Sequence, residues 1–345
     1  MPPGVLAALS GGIDSAVAAH FLISNGYRVE AVHLDLHADL RGRTGKEAAR
    51  DTAAHLGIPL HFLDVRAEFE RKVVDHFIET YRNGLTPNPC VICNPAIKIR
   101  LGLKLADELG LRFLATGHYA RIGTRDGALA LLQARDPAKD QSYFLHQARP
   151  DDLSRLLFPL GDRTKDEVRE IGARLGLSQL AEDESQDACF LSGDYRHLLE
   201  ERGLGAGPPG NVVTRDGRIL GTHSGLFGYT IGQRKGIGIA DETPYYVLGL
   251  DIGADRLVVG KREELFTASC RVREINWLVR PERVCERTVT VKIRSRHSGC
   301  PARVLAKPDG KVAVLFERPQ PAVTPGQYAV FYDDDRVLAG GIICA

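Results

Sequence analysis

The sequence lacks most of the features that would assign it at a glance. No run of about 18 apolar residues is free of charge or glycine, so no membrane-crossing helix is expected. The opening MPPGVLAALSGGIDS has no basic stretch before its apolar one, so no export signal is expected either. Neither sign of charge dominates: 45 Lys plus Arg stand against 44 Asp plus Glu, and the net +1 points to no polyanionic partner. No Walker loop occurs, because Gly42–Glu47 (GRTGKE) has the wrong glycine spacing and no hydroxyl after Lys46. The seven cysteines are an odd number without the spacing of a secreted disulfide scaffold, which fits a reducing, cytoplasmic compartment. What is there is ordinary for a folded chain. A composition of 43% hydrophobic and 26% charged residues excludes disorder, collagen-like repeats and coiled coil, and 345 residues suggest two or three domains.

The first half alternates aliphatic runs with amphipathic stretches, the βαβ signature of a parallel sheet covered by helices. Strands are expected at Val5–Leu9, Arg28–Leu36, Leu60–Val65 and Phe113–Thr116, and helices at Ser15–Ser24, Gly45–Leu56, Phe69–Tyr81 and Ile97–Leu109. This is an α/β, doubly wound domain. From Gly203 to Gly238 glycine and proline become frequent, and beyond it short alternating segments separated by Pro308-Asp309-Gly310 and Thr324-Pro325-Gly326 predict a small antiparallel β-barrel. The expected organisation is an α/β domain over 1–198, a small central module over 199–267 and the barrel over 268–345.

Directly after the first strand stands Ser10-Gly11-Gly12-Ile13-Asp14-Ser15, opening a helix. Small residues let backbone N–H groups approach an oxyanion, the helix start adds partial positive charge, and two hydroxyls can donate to phosphate oxygens. The alternative is a plain glycine-rich turn. The string resembles the PP-loop of the ATP pyrophosphatases, which cleave ATP between its α and β phosphates. Further on, prolines stiffen the approach to a C-x-x-C pair in Thr86-Pro87-Asn88-Pro89-Cys90-Val91-Ile92-Cys93-Asn94, and a third thiol is Cys189. Structural zinc needs four ligands, and no second C-x-x-C or paired histidine supplies them. Three thiols can cap an iron–sulfur cluster with one iron left open, or Cys189 can be one more small buried side chain.

The strings TPNPCVICN, ATGHYAR (Ala115–Arg121), KDQSYFL (Lys139–Leu145), DESQDACF (Asp183–Phe190), GQRKGIGI (Gly232–Ile239) and AVTPGQYAVFY (Ala322–Tyr332) occur in order. Together they resemble the tRNA-specific 2-thiouridylase (MnmA) family over nearly the whole chain. The resemblance implies ATP-dependent adenylation, with Mg2+, of O2 of wobble uridine 34 in tRNAs for Lys, Glu and Gln. Sulfur then reaches C2, and AMP departs. In the family's persulfide scheme the residue at Cys189 carries the sulfur and that at Cys93 resolves the intermediate through a transient disulfide. The sulfur comes from a donor such as a cysteine desulfurase, a sulfur-relay protein or sulfide. Residues matching Ala8, Leu9, Ser10, Gly11, Gly12, Ile13, Asp14, Ser15, Leu34 and Gly117 line ATP. Those matching Asn88, Pro89 and Cys90 surround the base, and His118, Lys139, Asp140, Gln141, Arg294, Ser295 and Gln327 stand where the family meets tRNA.

Two positions depart from the family. Many members carry Asp at the place of Cys90, so here Cys90, Cys93 and Cys189 could instead ligate a [4Fe–4S] cluster whose open iron holds hydrosulfide. Ligand count favours the cluster. Ser295 replaces a common aromatic, removing a stacking platform.

Elsewhere the plainer readings prevail. Cys270, Cys285, Cys300 and Cys344 lie on or beside barrel strands and are expected to pack, and His33 and His61 to be packed polar groups. The basic pair in Gln233-Arg234-Lys235-Gly236 suits phosphate contact or a solvated turn. From Arg271 to Lys311, eleven Lys and Arg outnumber four acids, a local +7 suited to a tRNA stem. Glu182–Ser185 is expected to form a flexible cap before Cys189. The competing functions are an ATP pyrophosphatase with another acceptor and a nucleic-acid-binding protein with a dead ATP site.

Overall fold

The computed structural model describes residues 2–37, 45–177, 188–191 and 193–344. Two segments discussed above, Gly42–Thr44 and Glu182–Ser185, lie outside the described residues. The chain forms two compact units. One comprises Met1–Val73, Pro89–Phe190 and Asp333–Val337, and the other Val74–Asn88, Leu191–Tyr332 and Leu338–Ala345.

In the first unit the chain runs β1 (Gly4–Ala8), α1 (Ile13–Ser24), β2 (Arg28–Asp35), α2 (Gly45–Leu56), β3 (Leu60–Asp64) and β4 (Phe113–Ala115). A hairpin of β5 (Arg121–Arg125) and β6 (Ala128–Leu132) follows, then β7 (Leu156–Leu157). The parallel sheet has the order β3-β2-β1-β4-β7. Val5, Leu6 and Ala7 in β1 are almost wholly buried, as a central strand covered on both faces requires. Residues of β1, β2, α1 and α2, among them Val5, Ala7, Ala19, Val29 and Ala53, form one core; Ile13, Val17, Tyr119, Leu160 and Val168 form another. The order reverses between β1 and β4. Such a switch point opens a crevice at the carboxyl ends of the strands, where open α/β sheets bind ligands.

The four expected strands and their helices are present. Helix α1 begins two residues before the expected Ser15. The hairpin and β7 were not expected: β7 is two residues long, too short to leave a periodic signal, whereas Asp126-Gly127, both with positive φ, is the signature of a tight hairpin turn. The expected Ile97–Leu109 helix is longer, running from Pro89–Cys93 through a π-helical turn, Asn94–Ile99, into Arg100–Glu108.

In the second unit, β8 (Gly210–Thr214), β9 (Ile219–His223), β10 (Tyr246–Asp251) and β11 (Arg256–Gly260) make a sheet of order β10-β11-β8-β9. Val212, Val247, Leu257 and Val259 form its core. Then come β12 (Phe266–Trp277), β13 (Thr288–Lys292), β14 (Cys300–Ala306), β15 (Val312–Pro321), β16 (Tyr328–Asp333) and β17 (Arg336–Ile343). Their order β12-β15-β14-β13-β16-β17, with β12 also pairing β17, closes the expected barrel. Closure leaves no strand edge. The long β12 was not expected, because Arg271, Arg273 and Glu274 hide its alternation and the register shifts between Arg273 and Asn276. Cys300 is buried in the barrel core, with Cys270 and Cys285 packed against it. No helix among the described residues is long and apolar enough to cross a membrane.

Candidate active site

The loop between β1 and α1 is built from its smallest residues. Gly11 has φ +89°, and a Cβ there would meet the Gly45 carbonyl at 2.9 Å, so the turn depends on glycine. Ser15 Oγ donates to the Gly12 carbonyl at 2.8 Å and lies 3.2 Å from both the backbone N and the Oγ of Ser10. No side chain caps the start of α1 at Gly12, so its first N–H groups stay available to a ligand. From the other side of the switch point Gly117 approaches so closely that a Cβ would lie 2.9 Å from the Ser15 nitrogen.

These walls enclose a cleft of about 190 Å³ lined by Ala8, Leu9, Ser10, Asp14, Ser15, Leu34, Gly117, His118 and Gln141, all singled out in the sequence. It is also lined by Val32, Leu36, Lys98 and Thr116, which were not. Asp14 is fixed in place. Lys165 Nζ reaches its two carboxylate oxygens at 2.8 and 2.9 Å, and the Tyr119 hydroxyl donates to one of them at 2.8 Å. Lys165 leads the helix Lys165–Arg174, capped by Thr164 and Glu167. Burial and the neighbouring Lys98 charge push His118 down to about 3, so it is neutral at physiological pH, and its Nδ1 lies 2.6 Å from Thr116 Oγ1.

Gln141 joins the cleft through Tyr119, accepting from its backbone N–H at 2.9 Å and donating its own N–H to the Tyr119 carbonyl at 2.8 Å. Asp140 is occupied in bracing its loop: it accepts from Gln133, from the Ala134 backbone and from both Ser142 donors. Lys139 is half-buried on the same loop.

The thiols differ in surroundings. Pro89 opens the helix carrying Cys90 and Cys93. Cys93 is buried, and burial pushes its thiol up to about 12, with further upward contributions from Cys189 and Cys90 and a downward one from Lys98. Cys189 is exposed. Crowding around its sulfur raises it, but a hydrogen bond from His37 and the charges of Lys98 and His37 outweigh this and bring it below the usual thiol value. Phe190 stacks edge-on against Phe69, which also meets His37, tying the Cys189 turn to the body of the unit. Cys93 is thus within electrostatic reach of both Cys90 and Cys189. Among the described residues, no group of three or more His, Cys, Asp or Glu is placed to hold a metal ion.

In the second unit Asn88 meets Gln327, whose Nε2 donates to the Pro87 carbonyl at 3.0 Å, and the Thr86 N–H bonds the Pro325 carbonyl. Gln327 is therefore a brace for the 86–88 loop. Arg294 donates to the Pro321 carbonyl and Ser295 is half-buried beside it. Arg234 and Lys235 are exposed on a loop braced by Gln233, and Arg271, Arg283, Arg296 and Arg303 are exposed in the basic segment, Arg303 paired with Glu286 at 3.0 Å.

The comparisons with known proteins bear on this geometry. A family model described as "tRNA methyl transferase HUP domain" matches residues 4–193. One described as "tRNA methyl transferase PRC-barrel domain" matches 197–261, and one described as "Aminomethyltransferase beta-barrel domain" matches 267–343. The tRNA-specific 2-thiouridylase MnmA of Trichlorobacter lovleyi is 43% identical over 99% of this chain and 97% of its own length. That of Chloroflexus aurantiacus is 44% identical over 98% of both. The chain belongs to the tRNA-specific 2-thiouridylase family. With that family it is an ATP-dependent enzyme of tRNA-uridine thiolation, and a phosphate cradle beside two unlike thiols suits that chemistry. Among solved structures, a 4-thiouridine synthetase in complex with RNA and ATP matches at 22% identity over 54% of this chain and 44% of its own, with TM-score 0.37. The U34-tRNA thiolase NcsA of Methanococcus maripaludis, with its [4Fe-4S] cluster, matches at 19% over 58% and 66%, also with TM-score 0.37.

The sequence motifs missed Lys98, Lys165, Tyr119 and His37. Tyr119 stands inside ATGHYAR, but its hydroxyl's role is visible only with Asp14 beside it. Lys98 and Lys165 stand in no glycine-marked or paired motif, and no local signal identifies them.

Proposed function

We propose that this chain is a tRNA-uridine 2-sulfurtransferase acting on wobble uridine 34 of tRNAs for Lys, Glu and Gln, and that its thiols work through a persulfide. The observation that carries the reading is the cleft at the sheet's switch point, with an open helix start on one side and two thiols of opposite acidity within its electrostatic reach. ATP, arriving with Mg2+, lies with its phosphates on Ser10–Ser15 while Leu34 and Gly117 flank it. The uridine O2 attacks the α phosphorus and pyrophosphate leaves. Cys189, already charged with sulfane sulfur by persulfide exchange with a cysteine desulfurase or a relay protein, whose own thiol leaves, attacks C2 with the outer sulfur of its persulfide, and AMP departs; sulfide, where it is the donor, attacks C2 directly. Cys93 then attacks the Cys189 sulfur, releasing 2-thiouridine and leaving a Cys93–Cys189 disulfide that an external thiol reduces. The base is extruded toward Asn88, Pro89 and Cys90, and His118, Lys139, Asp140, Gln141, Arg294, Ser295 and Gln327 flank the tRNA path, either by contact or, for Asp140 and Gln327, by bracing the loops that make it. The exposed arginines of β12–β14 meet phosphates.

The test is reconstitution with an unmodified tRNA transcript, ATP and a persulfide donor: 2-thiouridine and AMP should form together, and AMP release without thiolated nucleoside would refute the acceptor assignment. The cluster reading rests on the influence of Cys90 and Cys189 on Cys93 and has its own test. Iron and sulfide in cluster stoichiometry in anaerobically purified protein would support it, and full activity of iron-free protein would remove it.

A further inference from the structure

We infer that Lys98, turned into the nucleotide cleft by the π-helical turn Asn94–Ile99, is the cation that holds the phosphate chain of ATP and then the departing AMP at the thiol end of the cleft. This goes beyond the function proposed above and rests on its reading of the cleft as the ATP site.

The first argument is geometric. In a helix of 3.6 residues per turn, residues five apart point about 140° away from each other. In π-helical hydrogen bonding, i to i+5, the wider turn brings them round to about 50° apart, on the same side, and such turns gather at functional sites. The turn begins directly after Cys93 and contains Lys98, five residues on. It therefore brings the ammonium to the face that carries the thiol, and Lys98 lines the cleft with Ser10, Ser15 and Gly117. On a regular α-helix the same residue would point elsewhere.

The second argument is charge. A triphosphate needs positive charge, and the loop has no Walker lysine. Among the described residues lining the cleft, Lys98 is the one cation once His118 is neutral. Lys165 is consumed by Asp14, both of whose oxygens it holds. Lys98 also bears electrostatically on Cys93, His118 and Cys189, so its charge reaches both the nucleotide pocket and the sulfur residues.

The experiment is calorimetric binding of a non-hydrolysable ATP analogue and of adenosine to the full-length chain and its Lys98→Met, Lys98→Gln and Lys98→Arg variants. Removing the charge should weaken the triphosphate about ten- to a hundred-fold while adenosine affinity holds, and Lys98→Arg should restore most of the loss. Met and Gln variants that bind the analogue as the native chain does, or lose both ligands equally, would overturn the assignment. If the native chain binds neither ligand, the reading of the cleft itself falls, a result distinct from a failure of Lys98 alone. Should Lys98→Met fail to fold, the Gln and Arg variants decide the matter by the same comparison.

Discussion

Cys93 ends the first helical turn behind Pro89, sealed from solvent, whereas Cys189 stands exposed on a turn pinned by Phe190 against Phe69 and bonded by His37. Lys98 draws both thiols toward ionisation, yet burial overrules it at Cys93, while at Cys189 the added histidine carries the balance the other way. One cation that bears on both sulfurs thus leaves one thiol raised and the other lowered. The thiolate is the form that accepts sulfur, and the buried thiol is protected until a partner sulfur reaches it.

Four measurements would break or sharpen that contrast. The largest effect belongs to Cys189→Ser, which should lower 2-thiouridine formation by at least about 10³-fold. ATP binding should persist, and a variant that still thiolates would end the contrast at once. Next, residue-resolved alkylation near pH 8 should modify Cys189 about 10²-fold faster than Cys93, because the former is exposed with a lowered thiol and the latter buried with a raised one. Equal rates in the folded protein, with the chain shown intact by circular dichroism, would mean that burial does not protect Cys93. A smaller effect is expected from His37→Phe, which removes the hydrogen bond but not Lys98: Cys189 alkylation near pH 7 should slow by about 3–10-fold.

The fourth is a stability test with a definite sign. The Cys93 thiol lies at about 12 in the fold against 9.0 unperturbed. Over that window the native state keeps a proton that the unfolded chain loses, so stability is full below pH 9 and falls as pH rises toward 12. One such group contributes a slope of about 1.4 kcal/mol per pH unit. Urea midpoints followed above pH 9 should decline less steeply for Cys93→Ala than for the native chain, and parallel curves would place the alkaline loss elsewhere.

How much of this was legible in the sequence depends on whether a residue's role is local. Ser10–Ser15 could be read outright, because a strand, two glycines and a helix start within a dozen residues have few other uses. The barrel could be read from Thr288 onward, where buried and exposed residues alternate in β14, but not in β12, where Arg271, Arg273 and Glu274 interrupt the pattern. Cys270, Cys285 and Cys300 were legible as packing, and Cys300 is buried as expected. Lys98 was not legible, since a hydrophobic period of 3.6 would point it away from Cys93 and nothing in NPAIKI announces the wider turn. The Lys165–Asp14–Tyr119 lock joins three residues up to 151 positions apart, beyond the reach of any spacing rule.

Gly117 offers a way to sort other sequences. The space between it and the first residues of α1 admits a hydrogen but not a methyl group, since an added carbon would sit 2.9 Å from the Ser15 nitrogen and 3.0 Å from the Asp14 carbonyl carbon. A chain that keeps the whole SGGxDS string but has gained any side chain at this position would have pushed its phosphate loop out of shape. The string alone would then mark descent rather than activity, and the glycine about a hundred residues downstream is the better witness to a working nucleotide site.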